Sequence, residues 1–327
     1  MHQYLSSPSS ETYGGVSFVI DRDIDDAPVA GANGAKSYSS WTLTLVDYPD
    51  SPPNTAVYGI NSGYMHQLDG SGNPISPILT GMYCVQCNAS SIDVGFYWDS
   101  GSFVSLNTYV NGMAKPFGVN NLRQIVGHYY PYPGVAGPCP GFLFDASTGT
   151  VSQLDAPNAA PDNFESTTLP YGINDASQIV GSWVDASNNG HGFIYDNGTW
   201  TSADHSGTKG TVLVGVNGIG QIAGYYYTSQ GTHGFIYSRV DGWTNVDCAG
   251  QSSTMLTGIN NNGQAVGSCG TTAFMYDTVH GTMVQIPELA GVSQPWGISD
   301  SNVAAGFCGG GPVCSEGMNG FYATPNP

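Results

Sequence analysis

A pair of glycines recurs along this chain at a fixed internal spacing, and no other feature constrains the fold as tightly. The first member stands at 59, 118, 172, 215, 258 and 297, with gaps of 39 to 59 residues. In the last five copies the second member follows nine residues later, at 127, 181, 224, 267 and 306. An insertion interrupts the first copy, whose matching position is Gly81. The fullest copy reads Tyr171-Gly172-Ile173-Asn174, Gln178-Ile179-Val180-Gly181, His191-Gly192-Phe193-Ile194-Tyr195-Asp196 and Thr199-Trp200. A chain built this way stacks equivalent units, each burying its apolar face against the next.

Each element of the unit is strand-like: apolar and aromatic residues cluster over a few positions bounded by Gly, Asn, Asp and Pro. The third element is anchored by Phe96, Phe142, Phe193, Phe235, Phe274 and Phe321. The fourth, rich in Thr and Val and ending in an acid, covers 150–155, 199–204 and 242–247, with an N-terminal version at 41–47. Asn174-Asp175-Ala176-Ser177 is a hairpin turn between elements one and two, and Asp196-Asn197-Gly198 a turn between three and four. Four-stranded meanders of this length predict an all-β propeller with six antiparallel blades. The last unit stops after its third strand, so residues 41–47 are expected to close the ring. Seven blades is the alternative, with one hidden in residues 67–99.

Residues 41–327 then form one propeller domain, and 1–40 an N-terminal extension. The extension carries a spare strand at 17–21 that resembles a third strand. It either packs as an added edge or pairs with another molecule.

Composition narrows the partners. Among 327 residues there are 6 Lys plus Arg against 24 Asp plus Glu, a formal net charge of −18. Tracking a phosphate backbone needs clustered cations, so nucleic acid is excluded as a partner. Anionic membrane surfaces are disfavoured for the same reason. No apolar run reaches the ~18–20 residues of a membrane helix, and no helix is predicted. Seven cysteines are many for a reducing compartment and point to an extracellular or cell-surface location. Residues 1–10 lack the basic and apolar regions of a signal peptide.

The repeat resembles the extracellular HAF family, named for a His-Ala-Phe triplet. His191-Gly192-Phe193, His233-Gly234-Phe235 and Thr272-Ala273-Phe274 occupy that place, beside the Gly-Ile-Asn and Gln-Ile-Val-Gly elements. The likeness covers residues 57–322 and departs from the pattern in the first unit and at Ser299, where Asn is lost. It implies export and a propeller-like array, with no catalytic residues to carry over.

Several residue groups are candidates for chemistry. Asn61, Asn120, Asn174, Asn217 and Asn260, with Ser299 sixth, could ring the axis and bind a cation, but such an Asn more often caps its own turn. His191 and His233 fall on different units and are expected to be hydrogen-bonded structural residues. Asp21, Asp23, Asp25 and Asp26 begin like a calcium loop but lack its Gly and its Glu, leaving a looser calcium site as the only cofactor reading. Cys84 with Cys87, Cys308 with Cys314, and Cys248 with Cys269 are the expected disulfides, the last joining adjacent units; Cys139 is left over. Loops after second strands carry Tyr129, Tyr130, Tyr132, Trp183, Asp185, Tyr225, Tyr226 and Tyr227, aromatic and polar groups that suit sugar rings.

Neither a Gly-x-Ser-x-Gly elbow nor a His-Glu-x-x-His motif is present. The primary expectation is a secreted structural or interaction propeller, self-assembling through the spare strand. Two alternatives compete: a glycan-binding propeller using the loop aromatics, and a calcium-dependent hydrolase acting on extracellular polysaccharide, for which paired Asp residues would be required.

Overall fold

The computed structural model describes residues 10–13, 16–19, 40–46, 54–63, 77–85, 92–99, 101–133, 139–160, 168–289, 293–309 and 318–326. β1 (Ser10–Tyr13) and β2 (Val16–Val19) pair with each other as a separate antiparallel sheet, so the strand expected to be spare has a partner within the chain. β3 (Ser40–Val46) is used only at the end of the chain. β4 (Thr55–Ile60), β5 (Leu79–Val85), β6 (Ile92–Asp99) and β7 (Ser102–Ser105) form the first four-stranded antiparallel sheet. β5 and β6 thus absorb strands from the stretch where a seventh blade was the alternative.

A short helix, α1 (Asn107–Val110), follows where none was predicted. Asn111 ends it in a left-handed conformation, φ 52°, which Asn tolerates better than most residues. The buried Asn107 ties it down, accepting from Gly95 N and Ala114 N, each at 3.0 Å.

Four further groups repeat the meander. They are β8 (Met113–Val119), β9 (Gln124–Tyr130), β10 (Gly141–Asp145) and β11 (Thr150–Leu154); β12 (Thr168–Ile173), β13 (Ile179–Val184), β14 (Gly190–Asp196) and β15 (Thr199–Ser202); β16 (Gly210–Val216), β17 (Ile222–Tyr227), β18 (Thr232–Ser238) and β19 (Gly242–Val246); and β20 (Thr254–Ile259), β21 (Gln264–Cys269), β22 (Thr272–Asp277) and β23 (Thr282–Gln285). Parallel bridges join neighbouring sheets at Gly190 to Gly210, Thr232 to Ser253 and Asn54 to Met318. Finally β24 (Ser293–Ile298), β25 (Ala304–Gly309) and β26 (Met318–Asn326) take β3 as their fourth strand, with Phe321 opposite Leu45.

The first strands β4, β8, β12, β16, β20 and β24 touch in that order, and β24 touches β4 again. The chain is therefore a β-propeller, four-stranded antiparallel sheets arranged radially about an axis. Separate apolar cores lie between neighbouring sheets; one joins Val126 and Leu154 to Ile179 and Phe193.

The glycines explain how such sheets meet. Each second-strand Gly lies opposite the Phe of the third strand, as in Gly81–Phe96, Gly181–Phe193 and Gly224–Phe235. The ring lies over the missing side chain, and all six Phe anchors are at most 1% exposed. First-strand glycines let backbones meet at the axis: a Cβ on Gly215 would lie 2.9 Å from Gly258 Cα, and one on Gly258 3.0 Å from Gly297 Cα.

Candidate functional site

Every first strand breaks register at the same place. The shifts fall at Val57/Gly59, Pro116/Gly118, Pro170/Gly172, Leu213/Gly215, Leu256/Gly258 and Pro295/Gly297. A bulge inserts one extra residue and re-aims its side chain. Here the extra residues are Tyr58, Phe117, Tyr171, Val214, Thr257 and Trp296. Proline is compatible with three of these strands because, being innermost, each has one edge without a ladder partner.

The four aromatic members meet across the axis. Tyr58 lies 5.1 Å from Phe117 and 5.5 Å from Trp296, ring centroid to centroid. Phe117 lies 4.9 Å from Tyr171, and Tyr171 6.4 Å from Trp296. These distances fall in the range where aromatic pairs attract. They line a cavity of about 60 Å³ together with Val214, Thr257 and the axial glycines.

Second strands add a further layer, through the residue that follows the repeat glycine in four of them: His128, Ser182, Tyr225 and Phe307. His128 packs 5.6 Å from Phe117 and 5.1 Å from Tyr130. Phe307 packs 5.8 Å from Tyr58. Ser182 hydrogen-bonds the Tyr171 hydroxyl. Tyr225 packs edge-on to Tyr227 at 5.6 Å. Lys115, cross-strand from His128, sits 5.0 Å above the Tyr130 ring and 4.0 Å from Asp93.

Burial tunes these groups. It pushes Tyr58 up to about 12, with the Asp93 charge adding to the effect. Tyr171 is raised by burial first and then by Tyr227, Ser182 opposing, and Tyr225 is raised by burial and by Tyr171. All three hydroxyls therefore keep their protons. His128, 4% exposed, is pushed down to about 3 by burial and then by Lys115, so its ring is neutral. Both His128 ring nitrogens and Trp296 Nε1 are buried without a hydrogen-bond partner. Such atoms cost stability, of order 1–3 kcal/mol each.

The eight residues expected to form a sugar site are divided by this geometry. Tyr130, Tyr225 and Tyr227 stand beside the axial cluster. Tyr129 packs instead into the core between the β4 and β8 sheets. Trp183 and Tyr226 are buried in cores between sheets. There Trp183 stacks on His191 at 4.4 Å, and Tyr226 stacks on His205 at 4.0 Å and on His233 at 5.2 Å. Asp185 folds back on its own turn, accepting from Ser187 N and Asn189 N at 2.8 Å. Tyr132, half-buried, follows β9. Strand alternation is the cause: consecutive residues of one strand face opposite sides. The axial residues themselves were missed, although four of the six repeats place an aromatic directly before the first Gly.

His191 and His233 are hydrogen-bonded, as expected, through Nδ1 to Asp204 at 2.9 Å and to Asp247 at 3.1 Å. The axial Asn residues cap their own turns and also tie sheets together. Asn260 Oδ1 accepts from Asn262 N and Gln264 N, while Nδ2 donates to Ser299 O at 2.8 Å. Asn120, Asn174 and Asn217 each donate likewise to the next sheet. Both ends of these amides are thus engaged by the protein.

Cys248 and Cys269 are disulfide-bonded and join adjacent sheets. Cys84 and Cys308 are also disulfide-bonded; Cys87 and Cys314, their expected partners, lie outside the described residues, and Cys139 is a buried thiol. Asp21, Asp23, Asp25 and Asp26 lie outside the described residues too. Among the described residues there is no cluster of three His, Cys, Asp or Glu suited to a metal, and no helix long and apolar enough to cross a membrane.

No family model and no curated protein matches this chain. Solved structures do match it in fold. A streptogramin B lyase aligns at TM-score 0.50 with 13% identity, covering 89% of this chain and 100% of that one. A gluconolactonase from Xanthomonas campestris aligns at TM-score 0.50 with 12% identity, covering 98% of this chain and 99% of that one. At such identities the likeness shows the propeller fold alone.

Proposed function

We propose that this protein is an extracellular, six-bladed binding propeller that holds a glycan at its axial mouth. One observation carries the reading: aromatic rings from separate sheets converge on the axis beside buried polar atoms that the protein leaves unpartnered. Sugar rings offer an apolar face to stack on aromatics and polar groups to bond at the edges. The disulfides, the acidity and the resemblance to HAF repeats support export.

The competing readings draw less support. Strand-addition assembly calls for an available strand, and β2 pairs with β1. Polysaccharide hydrolysis calls for two carboxylates a fixed distance apart. The mouth instead gathers aromatic, imidazole and hydroxyl groups, with Asp93 beside Lys115.

A glycan array followed by calorimetry tests the proposal. Trp296→Ala removes a ring shared by Tyr58, Phe117 and Tyr171 and should weaken binding at least tenfold, as expected for a central aromatic anchor. Tyr226→Ala, in a core between sheets, should change stability but not affinity for the folded protein. Affinity unchanged in Trp296→Ala would place the site elsewhere.

A further inference from the structure

The mouth is rich in hydrogen-bond donors, and this points to the ligand's chemistry. Trp296 Nε1 can only donate. A neutral imidazole donates from one nitrogen and accepts at the other, so the two unpartnered atoms of His128 want one acceptor and one donor. Lys115 adds an ammonium group beside His128, and Tyr58 and Tyr171 add protonated hydroxyls. An uncharged sugar, whose hydroxyls must donate as well as accept, leaves such a set under-used. A carboxylate offers several acceptor lone pairs on one small group and makes stronger, charge-assisted bonds.

Net charge argues the other way at first sight. A protein of formal charge −18 repels anions at long range. That repulsion is screened beyond about 8–10 Å at physiological salt. Lys115 stands cross-strand from His128 and 5.0 Å from the Tyr130 ring, with Asp93 4.0 Å away, so a ligand carboxylate would compete with Asp93 for this ammonium group.

We infer that the axial mouth takes an acidic sugar, a pyranose bearing a carboxylate, with Lys115 and His128 at the acid group and Trp296, on the other side of Phe117, donating to the rest of the sugar. Phe117 packs against both His128 and Trp296, at 5.6 and 5.8 Å. This rests on the glycan-binding reading above and narrows its ligand to one charge class.

Calorimetry on the full chain with tri-galacturonate and with its neutral counterpart, a galactose trisaccharide, separates the two claims. The acid should bind at least tenfold more tightly. Lys115→Met should abolish that advantage, bringing the acid down to the affinity of the neutral sugar for the same variant. Equal or tighter binding of the neutral sugar would overturn the acidic ligand while leaving the glycan reading standing; binding of neither would overturn both. A Lys115→Met variant that kept the full preference would also overturn the assignment. His128→Phe gives an independent readout. Removing two buried, unpartnered nitrogens should raise the melting temperature of the ligand-free protein while abolishing the shift that tri-galacturonate induces. A lowered melting temperature in the ligand-free variant would mean that His128 is held by structure or buried water, and would count against the inference.

Discussion

Two histidines of this chain respond to their surroundings in opposite senses, and the contrast is testable. For His191, burial disfavours the charged ring, but hydrogen bonds and charges from Asp204 and Asp185 outweigh it and raise the pKa. Asp185, held down to about 2 by Asn189 and its own turn, stays ionised and available to the ring. A raised folded pKa means that the contribution of His191 is complete below the unfolded value of ~6.5 and disappears as pH rises through the folded value. His128 is depressed to about 3 by burial and by Lys115, so the unfolded chain takes up the proton first. Stability from this residue falls as pH drops from ~6.5 toward the folded value. Urea unfolding between about pH 5 and about pH 8 reads both. Against wild type, His191→Phe, which preserves a ring on Trp183, should be most destabilised at the acid end. His128→Phe should gain most on wild type at that same end. Parallel pH profiles for the two variants would contradict these environments.

At the scale of the element, the hairpin joining each first strand to its second does two jobs with one side chain. Asn260 is fully buried; its Oδ1 holds the turn through two backbone N–H groups and its Nδ2 reaches Ser299 O in the next sheet. The turn closes with Gly263 at φ 75°, and the matching residue elsewhere is Ser177 at φ 60° or Arg123 at φ 61°. This is the three-residue hairpin whose last position is left-handed. Asn260→Ala would strand both the turn N–H groups and the Ser299 carbonyl, and should cost about 3 kcal/mol, measured by denaturant unfolding. Asn260→Asp restores the turn acceptor but sets a carboxylate against a carbonyl, so it should not rescue. The turns and strands were legible in the sequence because their signals are local: Asn and Gly at fixed offsets, Phe opposite Gly. The axial site was not, because a bulge is a two-against-one register that exists only between paired strands. Tyr171 reads as one more strand residue until Pro170 is seen opposite Gly181 and Gly172 opposite Val180. The importance of His128 was hidden for a related reason: it lies in what its nitrogens do not touch.

For the whole molecule, stability resides in contacts between sheets, and closure decides whether every sheet has two neighbours. Ion pairs contribute little; Arg123 to Asp99, at 2.9 Å, is half-exposed on the Arg side, and such pairs are worth ~0–1 kcal/mol. Closure is made by β3, which brings Trp41 and Val46 to 7% and 2% exposure in two different cores. Hydrogen bonds from Asn326 Nδ2 to Ser40 and Thr42, at 2.9 and 3.1 Å, fasten the outer end of the join. Among the described residues none before β3 joins this ladder, although β2 lies against β3, so a chain starting at Ser40 should melt within a few degrees of the full one. Removing β3 as well exposes one edge of β26 and opens two cores. Each fully buried large apolar side chain is worth ~1.5–3 kcal/mol, and ~1 kcal/mol corresponds to roughly 2–4 °C for chains near this size. Loss of Trp41 and Val46 alone should then lower the melting temperature by roughly 10 °C. The exposed edge should in addition favour edge-to-edge association, visible by light scattering. Adding a synthetic peptide of residues 40–46 in excess should recover part of the loss, by mass action on the folded ring. If the shorter chain melted like the longer one, the last sheet would be stable with three strands, and closure would serve register and solubility, with no share in stability.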